Sequence, residues 1–143
     1  MRKTVLFAVL IVCMALSFAC KSQPKTADEA FKSIYDRFKK DLILDGAEKY
    51  TVVSGDTLSA IAREKYPNAF YFPVIMMASS DVVVDPDKIE PGMELTIPDL
   101  KKNLDDPKAK ANIKKFLGEI AKVEEDRNRP NDAKGLRELA NSL

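Results

Sequence analysis

Hydrophobic positions along the chain follow two different periods, and the switches between them predict the elements. Phe31, Ile34, Tyr35, Phe38 and Leu42 recur at spacings of three and four, which predicts one face of a helix running to about residue 44. Residues 50–53 (Tyr-Thr-Val-Val) and 94–97 (Glu-Leu-Thr-Ile) are β-branched and aromatic runs that suit strands. Between them Leu58, Ile61, Ala62 and Lys65 return to helical spacing. A second helix opens at Pro73 and partly buries Val74, Ile75, Met77 and Ala78. Beyond residue 98, Ile113, Phe116, Leu117, Ile120 and Val123 line one face of a long helix, and Leu136, Leu139 and Leu143 mark a short last one. The expected class is α+β: two strands bracketing two helices, with an amphipathic helix before them and helices after.

Polar residues punctuate these runs. Thr26 and Glu29 form a T-x-x-E capping box at the start of the first helix, and Asp45-Gly46 stops it. Ser54-Gly55-Asp56 is a turn, after which Asp56 or Thr57 caps the next helix. Pro67-Asn68 ends that helix; Asp85-Pro86 and Pro91-Gly92 are turns. Asp106-Pro107 places a cap and a first-position proline at the start of the long helix. Residues 128–131, with Pro130 inside, break it. Gly135 costs the last helix about 1 kcal/mol of preference.

The first 25 residues have a different character. Arg2 and Lys3 precede an almost purely apolar stretch, residues 5–16, and small residues lead to Cys20, the pattern of an export signal over residues 1–19. The apolar stretch falls short of the ~20 residues that span a bilayer. Ser17-Phe18-Ala19 fits ordinary signal-peptidase cleavage. Leu16-Ser17-Phe18-Ala19-Cys20 also looks like a bacterial lipobox, in which the Cys20 thiol takes a diacylglyceryl group, the protein then carrying fatty acyl chains such as palmitate. It departs from the common pattern in the position of Leu16 and the bulk of Phe18. Removal of residues 1–19 takes Cys13 away and leaves Cys20 without a disulfide partner, which favours lipidation over simple secretion. Residues 20–25 then serve as a polar tether.

Charge narrows the class further. Without Arg2 and Lys3 the balance is 21 basic to 22 acidic residues, which argues against a nucleic-acid partner. The sequence holds no histidine, so His-activated nucleophiles and the usual zinc sites are absent. Asp105-Asp106 and Glu124-Glu125 are carboxylate pairs, but adjacent residues on a charged helix lack the cleft that a glycosidase acid requires. No catalytic residue, metal or cofactor is expected.

Residues 50–98 carry a motif in two halves. Tyr50, Val52, Gly55, Asp56, Thr57, Leu58, Ile61 and Ala62 form the first half. Pro86, Ile89, Pro91, Gly92, Leu95, Ile97 and Pro98 form the second. Together they resemble a lysin motif (LysM), a βααβ module that binds N-acetylglucosamine-containing glycans, usually peptidoglycan. Two departures stand out: residues 68–72 (Asn-Ala-Phe-Tyr-Phe) lengthen the middle, and Ser79 stands where the family usually has Asn near the end of its second helix.

The resemblance implies a shallow sugar groove between two loops. Its residues here are Gly55, Asp56, Thr57 and Leu58 on one side and Pro86, Ile89, Glu90, Pro91 and Gly92 on the other. Backbone groups would pair with the acetamide, and Leu58 and Ile89 would receive its methyl. Turns and caps require most of these residues even without a ligand, so the structural reading of Gly55, Asp56, Pro91 and Gly92 stands beside the functional one. Phe70, Tyr71 and Phe72 either extend the groove or join the core.

The combined expectation is a lipid-anchored protein of the bacterial envelope, on the periplasmic face of the outer membrane. It comprises a helix over residues 26–46, a LysM module over 50–98 and a helical extension over 99–143. Its partners would be peptidoglycan and, through Cys20, a membrane. The alternative is an envelope adaptor whose LysM and helical surfaces bind a protein.

Overall fold

The computed structural model describes residues 26–143; the export signal, Cys20 and the tether expected from sequence lie outside the described residues. The architecture is α+β. Strand β1 (Glu48–Thr51) and strand β2 (Glu94–Ile97) form a two-stranded antiparallel sheet with Tyr50 opposite Leu95 and Glu48 opposite Ile97. Between the strands lie α2 (Leu58–Lys65) and α3 (Phe72–Ala78); before them stands α1 (Ala27–Phe38). Helices α4 (Leu100–Asp105), α5 (Pro107–Asp126) and α6 (Pro130–Ser142) follow. The order β1-α2-α3-β2 is a βααβ module with flanking helices.

Local chemistry explains each start. Thr26 and Glu29 make the reciprocal capping box on α1. Thr57, rather than Asp56, caps α2 by accepting from the Ala60 N–H at 3.2 Å. Asp99 and Asp106 cap α4 and α5 in the same way, with Pro107 at the first position of α5. In α3 the first position is Phe72, and Pro73 follows it after a 3-10 turn over Ala69–Tyr71.

Besides the start of α3, one residue ahead of the expected Pro73, three elements differ from the sequence expectation. Helix α1 ends at Phe38, not near residue 44, and a 3-10 turn over Lys39–Asp41 follows. The backbone beyond it is claimed by side chains. Asn112 Nδ2 donates to the Phe38 carbonyl at 2.9 Å, while Asn103 accepts from the Ile43 N–H at 2.9 Å and donates to its carbonyl at 2.8 Å. Strand β1 both begins and ends two residues before the expected 50–53, running from Glu48 opposite Ile97 to Thr51 opposite Glu94. Pro130 opens α6 instead of sitting inside a break; the reversal lies at residues 127–129, where Asn128 takes a positive φ of 61°.

One core serves the whole described chain. The stripe Phe31, Ile34, Tyr35 and Phe38 packs on α5: the Tyr35 and Phe38 rings lie 6.0 and 5.7 Å from that of Phe116. Ile113, Leu117 and Ile120 are fully buried, as are Val74, Ile75, Met76 and Met77 of α3. Both helical stripes are therefore packed inside the molecule and form no exposed face. Ser79, at the position where the resemblance would place Asn, pins α3 to β2: its Oγ accepts from the Thr96 N–H at 2.8 Å and lies 3.4 Å from the Thr96 carbonyl. Among the described residues, no helix is long and apolar enough to cross a membrane.

Candidate functional site

The two loops named by the sequence motif meet at one end of the sheet. Val52 N–H donates to the Met93 carbonyl at 2.9 Å, and Gly92 N–H donates to the Val52 carbonyl at 2.8 Å. These bonds extend the ladder past both strands, so the 53–57 turn and the 91–93 turn start from adjacent backbone. Gly55 (φ 91°) and Gly92 (φ 92°) adopt left-handed conformations that side-chain-bearing residues rarely take.

Asp56 organises the first loop. Its Oδ2 accepts from the Val53 N–H and from the Tyr50 hydroxyl, each at 2.9 Å. That hydrogen bond raises the Tyr50 hydroxyl above its ordinary pKa. Asp56 thus spends one carboxylate oxygen on the fold. Thr57 spends its hydroxyl on the α2 cap.

The second loop is built on Asp85, whose Oδ1 accepts from the Asp87 N–H at 3.0 Å and whose carbonyl accepts from Lys88 N–H at 3.0 Å. A 3-10 turn over Pro86–Lys88 results. Glu90 and Met93 close the next turn through a 3.1 Å backbone bond.

Exposure sorts the expected residues. Gly55, Thr57, Glu90, Pro91 and Gly92 are exposed, and Asp56, Pro86 and Ile89 are half-buried. Leu58 is only 3% exposed and points into the core, so it is not placed to receive a ligand methyl; Ile89 keeps part of its surface free. Tyr71 and Phe72 are buried core residues, and the half-buried Phe70 packs against α6. Of the two side chains expected to receive a ligand methyl, only Ile89 therefore offers surface at the loops.

Sequence reasoning did not find what holds the second loop. Arg127 Nη2 donates to Asp85 Oδ1 at 3.1 Å and to Asp87 Oδ2 at 2.8 Å, while Arg129 grips Asp87 with both terminal nitrogens. Lys88 pairs with Asp28 of α1 at 2.7 Å. Burial raises the Asp87 carboxyl, but the hydrogen bonds and charges of Arg129 and Arg127 outweigh it and leave its pKa lowered. These partners lie 40 to 60 residues apart in sequence, beyond any local motif.

A separate cleft of about 530 Å³ lies at the opposite end of the sheet, lined by Tyr66, Pro67, Pro98, Leu100 and Leu104 among others. Among the described residues, no cluster of His, Cys, Asp and Glu is placed to hold a metal ion.

Comparison with known proteins agrees with this geometry at its centre. The LysM domain family matches residues 50–65, which run from β1 through the first loop to the end of α2. The chain is 42% identical over 67 residues to a protein of Escherichia coli O6:H1 named potassium binding protein Kbp. It is 43% identical over 56 residues to a protein named esterase Rv1288 in Mycobacterium tuberculosis, and equally to its counterpart in another strain. The matched stretches make up 47% and 39% of this chain, but only 45% of the potassium binding protein and 12% of the esterases. No solved structure matches the chain significantly. The LysM family model therefore matches the first half of the βααβ module, within a longer fold built on helices.

Proposed function

We propose that this protein binds peptidoglycan through the loops at residues 53–57 and 86–92, and that an acyl group on Cys20 holds it to a membrane of the bacterial envelope. The observation that carries the reading is the pair of loops joined through Val52, Gly92 and Met93, with exposed backbone and no buried charge at their tips. Such a surface suits a neutral N-acetyl sugar. Each hydrogen bond is worth about 1 kcal/mol after desolvation, so one site binds weakly. Membrane tethering compensates by raising the effective concentration of wall polymer around the module.

Burial of both helical stripes supports a self-contained binder over an adaptor that needs a protein to cover them. The periplasmic face of the outer membrane is the proposed location.

The test is co-sedimentation of the full chain, carrying Cys20→Ser in mild detergent, with purified peptidoglycan sacculi. The wild-type loops pellet with the sacculi; Ile89→Lys with Glu90→Lys, checked for retained fold, stays in solution. A well-folded chain that never pellets overturns the wall-binding reading. Labelling of wild-type cells with a clickable palmitate analogue, absent in Cys20→Ser, tests the anchor.

A second reading comes from the Escherichia coli relative, whose name records potassium binding. Its check is a thermal melt in potassium against sodium chloride at equal ionic strength. A potassium-specific rise in Tm supports it.

A further inference from the structure

We propose that Arg127 and Arg129 are positioning residues for the second loop of the glycan groove, so that the turn between α5 and α6 sets the groove's geometry. The proposal rests on the glycan-binding reading and extends the binding unit beyond the LysM module.

The loop from Asp85 to Gly92 contains no strand and only one 3-10 turn. Its far end is fixed just past β1, where Gly92 N–H donates to the Val52 carbonyl. Its near end is fixed from outside the module. Arg127 bridges Asp85 and Asp87 on either side of Pro86, and Arg129 grips Asp87 a second time.

Arg127 is itself immobilised. Its guanidinium stands 5.2 Å from the centre of the Phe31 ring, and Nη1 donates to Glu124 Oε1 at 3.3 Å. Phe31 and Glu124 are both fully buried. The side chains of Arg127 and Asp85 are 16% and 8% exposed, so their attraction is screened far less than that of a surface pair. The Lys88–Asp28 pair is open to solvent and contributes little.

The chain of contacts therefore runs from the helical core to Arg127 and from Arg127 to the loop. In a shallow site assembled from individually weak hydrogen bonds, displacement of one loop removes a large share of the affinity. A merely structural role for the two arginines would change stability while leaving the folded protein's affinity as it was.

The experiment compares the full chain (Cys20→Ser, mild detergent) with the variant Glu124→Gln, Arg127→Gln, Arg129→Gln, in which Glu124 is not left as a buried charge without its arginines, while Asp85 keeps the Asp87 N–H and the Lys88 ammonium 3.6 Å away. Binding of N-acetylglucosamine tetramer is titrated well below both melting temperatures, and amide hydrogen exchange is followed at Asp87 and Lys88 and across the sheet. The expected result is at least fivefold weaker binding and faster exchange at Asp87 and Lys88, with β1 and β2 amides unchanged. Arg129→Gln alone removes one grip at the surface and is expected to weaken binding two- to threefold; it decides the matter if the triple variant does not fold.

Unchanged affinity, or unchanged exchange in the loop, overturns the proposal and leaves the glycan reading standing. A folded wild type that does not bind the tetramer overturns the glycan reading and this proposal together. Faster loop exchange in the variant would then attribute only loop order to the arginines.

Discussion

The ring of Phe70 occupies the space that a side chain at Gly135 would need: an ideal Cβ there would lie 2.1 Å from Phe70 Cζ. Phe70 belongs to the stretch between α2 and α3 in the middle of the βααβ module, and Gly135 lies inside α6. That stretch is thus a socket for the C-terminal hairpin. Gly135→Ala gains up to about 1 kcal/mol in helix preference but forces the ring or the helix to move, an overpacking cost of about 1–3 kcal/mol. The net expectation is a lower Tm. Phe70→Leu in the same chain should reverse the sign, so that Gly135→Ala becomes neutral or stabilising. A double-mutant cycle by thermal melting measures the coupling.

Ser79 holds β2 through the Thr96 backbone, so Ser79→Ala leaves the Thr96 N–H without its 2.8 Å acceptor. A part-buried donor left unpaired costs about 1–3 kcal/mol. Urea unfolding should show a lower midpoint at unchanged slope. Amide exchange at Thr96 should quicken more than at Leu95.

Asn103 is fully buried and makes three bonds, to the N–H and carbonyl of Ile43 and to the carbonyl of Asp99. It substitutes for a strand partner along the extended chain that follows α1. Asn103→Leu removes all three and strands the Ile43 backbone, an expected loss of about 2–4 kcal/mol. The hydrophobic pattern gives no warning, because a leucine would suit the helix face better. Chemical denaturation against wild type checks the loss.

The strands, α2 and the α1 and α5 stripes were legible because their signal is local: period, caps and turn residues within a few positions of one another. Leu58 shows where that signal misleads. It sits at a motif position beside the loop, yet the helical period that places Ile61 and Ala62 inside also turns Leu58 inward. The short helix α4 was missed because its six residues, Leu-Lys-Lys-Asn-Leu-Asp, are too few to establish a stripe. The Arg127–Asp85 and Phe70–Gly135 contacts were illegible for a different reason. Each joins residues more than forty positions apart, and only the packing of the hairpin on the module brings them together.

Glu124 gives the cluster a pH dependence of its own. It is 0% exposed; Oε1 accepts from Arg127, while Oε2 has no hydrogen-bond partner and lies 3.9 Å from Arg129 Nε. Burial raises its pKa above the ordinary 4.5, the positive charges of Arg127 and Arg129 oppose the rise, and the nearby negative charges of Asp132 and Asp87 add to it. Tyr35 also lies in the field of Glu124 and Asp85, and its hydroxyl is raised chiefly by burial.

A carboxyl whose folded pKa is raised binds its proton more tightly in the native state. Its contribution to stability is fully present below about 4.5, the unfolded value, and is lost as pH rises through the folded value. Asp87, whose pKa is lowered, behaves oppositely: its contribution is present above the unfolded value of 3.8 and is lost as pH falls through the folded one. Comparison with Glu124→Gln isolates the first effect, since the other carboxylates are common to both proteins. Urea unfolding at a series of pH values should show wild type losing stability relative to Glu124→Gln as pH rises from 4.5, the difference levelling off once Glu124 is ionised in the native state. A difference that stays flat across that interval would mean that the two arginines compensate the buried charge completely.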